Sequence, residues 1–379
     1  MQNRQTILRC TIPGEDLWLP RDRYALICDA DHLASDGYAA YLLTGDAAVQ
    51  GIQDSRRVVV PAEDYEAGDF LILSAEEDGR PVAKRLPTAD KPERTLFLTG
   101  QCNSNCIMCP YSTKQRVSGY AERLEDLLAY VELMSPDTDY ICITGGEPTL
   151  LKDGFLTVLE SVKNHLKCAL VHILTNGRTF SYEDFFAAYQ RVRPYQTLLG
   201  IPIHAPTAPL HDQISGVSSS FRQTVRGIEN CYKAKEHIEL RVVTSALNAR
   251  QLKDLAKFIG QNFPAVSCVS LMGLEMMGNA MINRDQVWIG YDQLMPYVEE
   301  AADILLSYGV APRLFNYPLC KVSHRLQSIY HRSITESKIR YKSECESCAR
   351  KRECGGFFQT TIVMPDITVT PFAGRTINV

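Results

Sequence analysis

From residue 95 onward, short apolar runs alternate with longer stretches in which apolar positions recur at helical spacing. The runs at 96–98, 140–144, 169–174, 197–203, 240–244 and 268–272 read as strands, and the stretches at 121–134, 154–165, 182–192, 221–235 and 251–262 read as helices. Six alternating units of this kind predict an α/β fold, either a parallel sheet or a barrel-like array with its helices outside. In such folds the loops at the carboxyl ends of the strands carry the chemistry. A further helix is expected at 291–308, ahead of a cysteine-bearing tail.

The first 92 residues follow a different pattern. Apolar runs at 24–28, 58–60 and 70–73 are separated by turn signals, among them Glu66-Ala67-Gly68-Asp69 and Asp78-Gly79, which predicts a small β-rich domain. The segment 88–93, with a proline and mixed charges, reads as a linker. The chain therefore divides into units at 1–92, 93–310 and 311–379, in keeping with a length of 379 residues.

Composition narrows the function. A hydrophobic share of 45% with 22% charged residues is a globular balance. The net charge of −4 favours neither capture of nucleic acid nor adsorption to acidic lipid. No run reaches the roughly 18–20 apolar residues of a membrane span, and Met1-Gln2-Asn3-Arg4 leads into no signal-peptide stretch, so a cytoplasmic protein is expected. In that setting, disulfides explain thirteen cysteines poorly, and thiolates holding a metal or cluster explain them better.

Seven cysteines fall into two spaced groups. The first, Cys102-Asn-Ser-Asn-Cys106-Ile-Met-Cys109, directly follows the first strand. Three thiolates in one compact loop suit an iron–sulfur cluster with one open iron, or a zinc site completed from elsewhere. At the end of the second strand stands Thr144-Gly145-Gly146-Glu147-Pro148-Thr149. Its paired glycines allow close backbone approach to a ligand, and Glu147 offers a carboxylate to an ammonium group. Leu174-Thr175-Asn176-Gly177 turns at the same rim.

With CxxxCxxC after strand one, GGEP after strand two and βα units beyond, the chain resembles the radical SAM superfamily, and the fold implied is a partial (βα)6 barrel. The resemblance implies that Cys102, Cys106 and Cys109 bind a [4Fe-4S] cluster whose fourth iron is chelated by S-adenosylmethionine (SAM). It places Gly145, Gly146, Glu147 and Pro148 at the methionine amino group, and Arg241 at the SAM carboxylate. Met108 stands where the family usually has an aromatic residue near the adenine. Asn176 and His204, at strand ends, are expected at the ribose, and Glu275, past strand six, toward substrate. His211-Asp212 reads as a helix-start or loop pair.

The second group is Cys320, then Cys345-Glu-Ser-Cys348 and Cys354. Four thiolates suit zinc or a complete [4Fe-4S] cluster, and spacing does not separate the two. The Cys-x2-Cys-x5-Cys core resembles part of the SPASM/Twitch auxiliary-cluster segment, with a second [4Fe-4S] cluster implied. The run Arg350-Lys351-Arg352 would partly offset its charge, or face solvent. Gln101–Cys106, 238–243, 271–275, 316–320 and 354–358 together resemble the His-Xaa-Ser system radical SAM maturases. That resemblance implies a ribosomally made peptide or small protein as substrate, a second radical SAM maturase as partner and a flavodoxin or ferredoxin as electron donor. The alternative is action on a small metabolite or activation of a partner enzyme.

Overall fold

In the computed structural model, residues 6–28, 37–43, 58–59, 65–75, 81–85, 94–117 and 119–373 are described. Strict alternation decides which side of each strand is core. Ile141 and Ile143, Val171 and Ile173, Leu199 and Ile201, and Leu240 and Val242 are each fully buried on one face. Between them, Cys142, His172, Gly200, Glu239 and Arg241 point to the other. The apolar face is covered by helices, which is what a parallel sheet needs on the side away from its axis.

The resulting sheet has eight strands in sequential order: β7 (Arg94–Phe97), β8 (Tyr140–Thr144), β9 (Leu170–Leu174), β10 (Gln196–Pro202), β11 (His237–Val243), β12 (Cys268–Met272), β13 (Pro312–Phe315) and β14 (Tyr330–His331). Every neighbouring pair is parallel, and no pairing joins β14 back to β7, so the barrel is partial and open. The six expected strands are present, and two short ones, β13 and β14, extend the sheet. Crossover helices are α1 (Thr113–Val117), α2 (Leu124–Leu133), α3 (Asp153–His165), α4 (Glu183–Val192), α5 (Ala208–Ser215), α6 (Ser220–Lys233) and α7 (Leu252–Asn262). After β12 come α8 (Asn279–Ile282), α9 (Arg284–Val287) and α10 (Tyr291–Ser307). His211-Asp212, expected at a helix start or in a loop, lies inside α5. No helix among the described residues is long and apolar enough to cross a membrane.

Ahead of the barrel, β1 (Thr6–Thr11), β2 (Tyr24–Cys28), β3 (Ala40–Leu43), β4 (Val58–Val59), β5 (Phe70–Ala75) and β6 (Pro81–Arg85) form a second sheet in the order β4-β3-β2-β1-β5-β6. The strands β1 to β4 run parallel, and β5 is antiparallel to both β1 and β6. The turn at Glu66–Asp69 forms, with Asp69 N–H donating to Glu66 O at 3.0 Å. Asp78-Gly79, the 88–93 linker and Met1–Arg4 lie outside the described residues. This sheet docks on α2: Phe70 packs on Tyr130 with ring centroids 4.3 Å apart, Trp18 Nε1 donates to Glu132 O at 3.2 Å, and Arg23 pairs with Glu132 at 3.0 Å.

Helix α6 is pressed against the turn that follows β9. A Cβ at Gly227 would stand 2.1 Å from the carbonyl oxygen of Gly177, closer than any side chain tolerates. Gly227→Ala must therefore push the helix off this turn. The expected loss is about 1–3 kcal/mol, seen as a lower denaturant midpoint; an unchanged midpoint would show that the approach is not tight.

Candidate active site

Three loops meet at the carboxyl end of the first strands. The loop 102–109 has almost no regular structure, so its backbone groups must find partners elsewhere. Asn105 N–H and Ile107 N–H donate to the carbonyls of Ser215 and Ile214 at the end of α5, at 2.8 and 2.9 Å. From the other side, Asn279 N–H donates to Cys109 O at 2.9 Å, Asn279 Nδ2 to Cys106 O at 3.0 Å, and Asn283 Nδ2 to Ile107 O at 3.2 Å. Two guanidinium groups close the clamp. Arg116, on α1, donates from Nη1 to Ser104 O at 2.7 Å and from Nη2 to Asn105 Oδ1. Arg178 bonds Asn103 O, and Ser104 Oγ at 3.2 Å.

The three thiols gathered here are largely withdrawn from water. Burial pushes Cys102 up to about 11 and Cys106 up to about 12, and raises Cys109 as well. Thiolates at these positions call for a strongly positive centre among them, which is the charge that iron supplies. Ser104 N–H already points at Cys102 Sγ, 3.4 Å away. The donor set of three thiols in one loop fits a cluster with one site open to another ligand.

The turn after β8 is built by contact with the start of this loop. A Cβ on Gly146 would stand 2.3 Å from Gln101 O, and one on Gly145 would stand 2.4 Å from Thr99 O. Both positions exclude side chains because backbone already fills the space, and Gly146 N–H and Glu147 N–H donate to Thr99 O and Gln101 O, each at 2.7 Å. The glycine pair is thus explained by protein packing. Glu147 is fully buried. Its carboxylate accepts from Thr149 N–H, Thr149 Oγ1, Thr175 Oγ1 and Asn176 N–H at 3.2, 2.7, 2.7 and 2.6 Å, so its bonds are spent within the fold. Burial nonetheless raises its pKa, against the pull of those donors. Pro148 opens the short turn that follows and is also buried. Asn176 carries the linkage onward, donating from Nδ2 to Asn103 Oδ1 at 2.6 Å.

The other expected residues are distributed less evenly. Met108, within the cysteine loop, is buried. His204 is buried with its ring centroid 5.1 Å from that of His211, and burial lowers the two to about 3 and about 4, so both are neutral. Glu275 pairs with Lys338 of the C-terminal segment at 3.2 Å. Arg241 points into the barrel and gives Nη1 to both oxygens of Glu239, at 3.2 and 3.0 Å, while Nη2 and Nε carry no partner among the described residues. Glu239 is also held by His172 Nε2 at 2.9 Å and by the Ser270 hydroxyl, and Tyr140 OH lies 3.1 Å from His172 Nδ1. Strand spacing alone could not reveal this inner network, because its members come from four strands.

The second cysteine group also comes together. Cys320, Cys345, Cys348 and Cys354 line one small cavity with Pro318, Phe357 and Phe372. Backbone N–H groups of Leu319 and Gly356 point at Cys354 Sγ at 3.2 and 3.3 Å, and that of Phe372 at Cys348 Sγ at 3.4 Å. Of the neighbouring basic run, Arg350 is paired with Glu353 at 2.6 Å and Lys351 with Glu346 at 2.8 Å.

The inner network carries a pH signature. Burial disfavours charge on Glu239, but the His172 hydrogen bond, the Arg241 charge and Ser270 outweigh it and hold the carboxyl down at about 2. A depressed carboxyl stabilises the fold above its unfolded value of about 4.3, and that contribution is lost as pH falls toward 2. Between those limits the unsubstituted protein is expected to lose stability faster than Glu239→Gln, measured by denaturant midpoints at stepped pH. Parallel curves would contradict the network.

Comparison with known proteins agrees with this geometry. Residues 96–259 match the family model of the Radical SAM superfamily. GTP 3′,8-cyclase of Haemophilus influenzae (strain PittEE) is 28% identical over 145 residues, 37% of this chain and 40% of that protein. The mycofactocin maturase MftC of Mycobacterium ulcerans (strain Agy99) is 29% identical over 165 residues, 43% of this chain and 42% of that protein. The chain thus spans about two fifths of the length of these curated relatives. Among solved structures, Streptococcus suis SuiB aligns with a TM-score of 0.49 at 14% identity, over 68% of this chain and 56% of that one. With its cysteine loop and glycine–glutamate turn at the carboxyl ends of parallel strands, the region 96–259 belongs to the radical SAM superfamily.

Proposed function

We propose that this protein is a radical SAM enzyme that modifies a ribosomally made peptide or small protein of the His-Xaa-Ser type. The observation that carries the reading beyond the superfamily is the cavity in the C-terminal segment lined by Cys320, Cys345, Cys348 and Cys354. Four thiols around one cavity suit zinc or a complete [4Fe-4S] cluster, and the likeness of the Cys-x2-Cys-x5-Cys core to an auxiliary-cluster segment favours the cluster. Peptide chemistry is supported by the likeness to a mycofactocin maturase. A small-metabolite substrate is the second reading, favoured by the likeness to GTP 3′,8-cyclase.

In this reading Cys102, Cys106 and Cys109 hold the first cluster, which when bound supplies the electron that cleaves SAM to a 5′-deoxyadenosyl radical. The glycine–glutamate turn, from Gly145 to Pro148, gives the methionine amino group a rigid frame. The unused Nη2 and Nε of Arg241 offer a fork to the SAM carboxylate. Met108, within the cysteine loop, and Asn176, bonded to Asn103 of it, would serve adenine and ribose. The second radical SAM maturase and the flavodoxin or ferredoxin donor belong to the same proposal.

Anaerobically reconstituted protein is expected to hold about eight irons per chain, and Cys345→Ala/Cys348→Ala about four. The double variant should still release 5′-deoxyadenosine from SAM under dithionite but fail to change the mass of a co-produced His-Xaa-Ser repeat peptide. About four irons in the unsubstituted protein would reject the second cluster. A peptide left unchanged by fully loaded enzyme would favour the metabolite reading.

A further inference from the structure

Arg116 is buried, 6% exposed, and forms no ion pair among the described residues. Its Nη1 and Nη2 are spent on the neutral acceptors Ser104 O, Asn105 Oδ1 and Thr113 Oγ1, and its Nε is buried without any partner. A buried guanidinium cannot shed its proton, so its charge destabilises the fold unless an anion nearby offsets it. Glu147 is the carboxylate beside the same loops, and it turns instead to Thr149, Thr175 and Asn176. What stands next to Arg116 is the cysteine loop itself, since Ser104 and Asn105 lie between Cys102 and Cys106. The Arg116 charge acts on all three thiols. Arg178 grips the same three-residue bridge without a carboxylate partner among the described residues, but it is only half-buried.

We propose that Arg116 is the fixed countercharge of the SAM-binding cluster and raises its reduction potential. The inference rests on the reading of Cys102, Cys106 and Cys109 as cluster ligands. Three thiolates on a [4Fe-4S] core leave a net negative charge, and one-electron reduction adds another. A cation held close stabilises the reduced form more than the oxidised form. Net charge and hydrogen bonding around the sulfurs are the protein's means of setting such potentials. The electron comes from the external reductant and the cluster iron accepts it; Arg116 changes only the equilibrium.

The test is a redox titration of the reconstituted full chain followed by electron paramagnetic resonance, reading the signal that changes when SAM is added. Arg116→Gln keeps hydrogen-bond capacity and removes the charge, whereas Arg116→Lys keeps the charge and loses the fork. The reduction equilibrium is expected to move about tenfold toward the oxidised form in Arg116→Gln, a fall of about 59 mV for one electron, with Arg116→Lys staying near the unsubstituted value. Thr113→Asp tests the same idea with the arginine retained. Thr113 Oγ1 is 3.3 Å from Arg116 Nη2, so the new carboxylate should neutralise it and lower the potential in the same direction. If Arg116→Gln fails to hold its cluster, Thr113→Asp decides. Equal potentials in the unsubstituted protein and Thr113→Asp, or equal shifts in the lysine and glutamine variants, would overturn the proposal while leaving the cluster assignment intact. A chain with no SAM-responsive signal would overturn both.

Discussion

Everything at this site depends on holding an irregular eight-residue loop in one conformation. Neither strand nor helix satisfies the backbone of 102–109. The fold answers with donors and acceptors from elements far apart in sequence: the carbonyls ending α5, the amides of Asn279 and Asn283 around α8, and the guanidinium groups of Arg116 and Arg178. Position is therefore set by the scaffold, and a bound cluster adds its ligand bonds to a loop already placed.

Glu147 plays the matching part for the strand ends. One buried carboxylate gathers Thr149 from its own turn and Thr175 and Asn176 from the turn after β9, and Asn176 passes the connection to Asn103. The first three strand-end loops thus form one unit. The neighbouring glycines leave no room for a side chain between that unit and residues 99–101.

Much of this architecture was legible in the sequence, for local reasons. The six main strands and their helices carry period-two and 3.6-residue patterns that need no partner to be seen, and the cysteine spacings lie within a few residues. What escaped the sequence came from non-local pairing. Strands β13 and β14 are too short to show a period, and the parallel run of β1 to β4 depends on connections that composition does not specify. Nothing in the sequence singles out Arg116, on the five-residue helix α1. Only its burial and its unpaired state mark it out. The contacts of His204 with His211 and of Glu275 with Lys338 are likewise non-local.

The central claim is that the thiols of Cys102, Cys106 and Cys109 support reductive cleavage of SAM at the strand ends. The most direct measurement is 5′-deoxyadenosine release by anaerobically reconstituted protein given SAM and dithionite, set beside Cys102→Ala/Cys106→Ala/Cys109→Ala. The account predicts release by the unsubstituted protein and none by the triple variant, even though that variant keeps its C-terminal cysteines. Equal release by both proteins would contradict it.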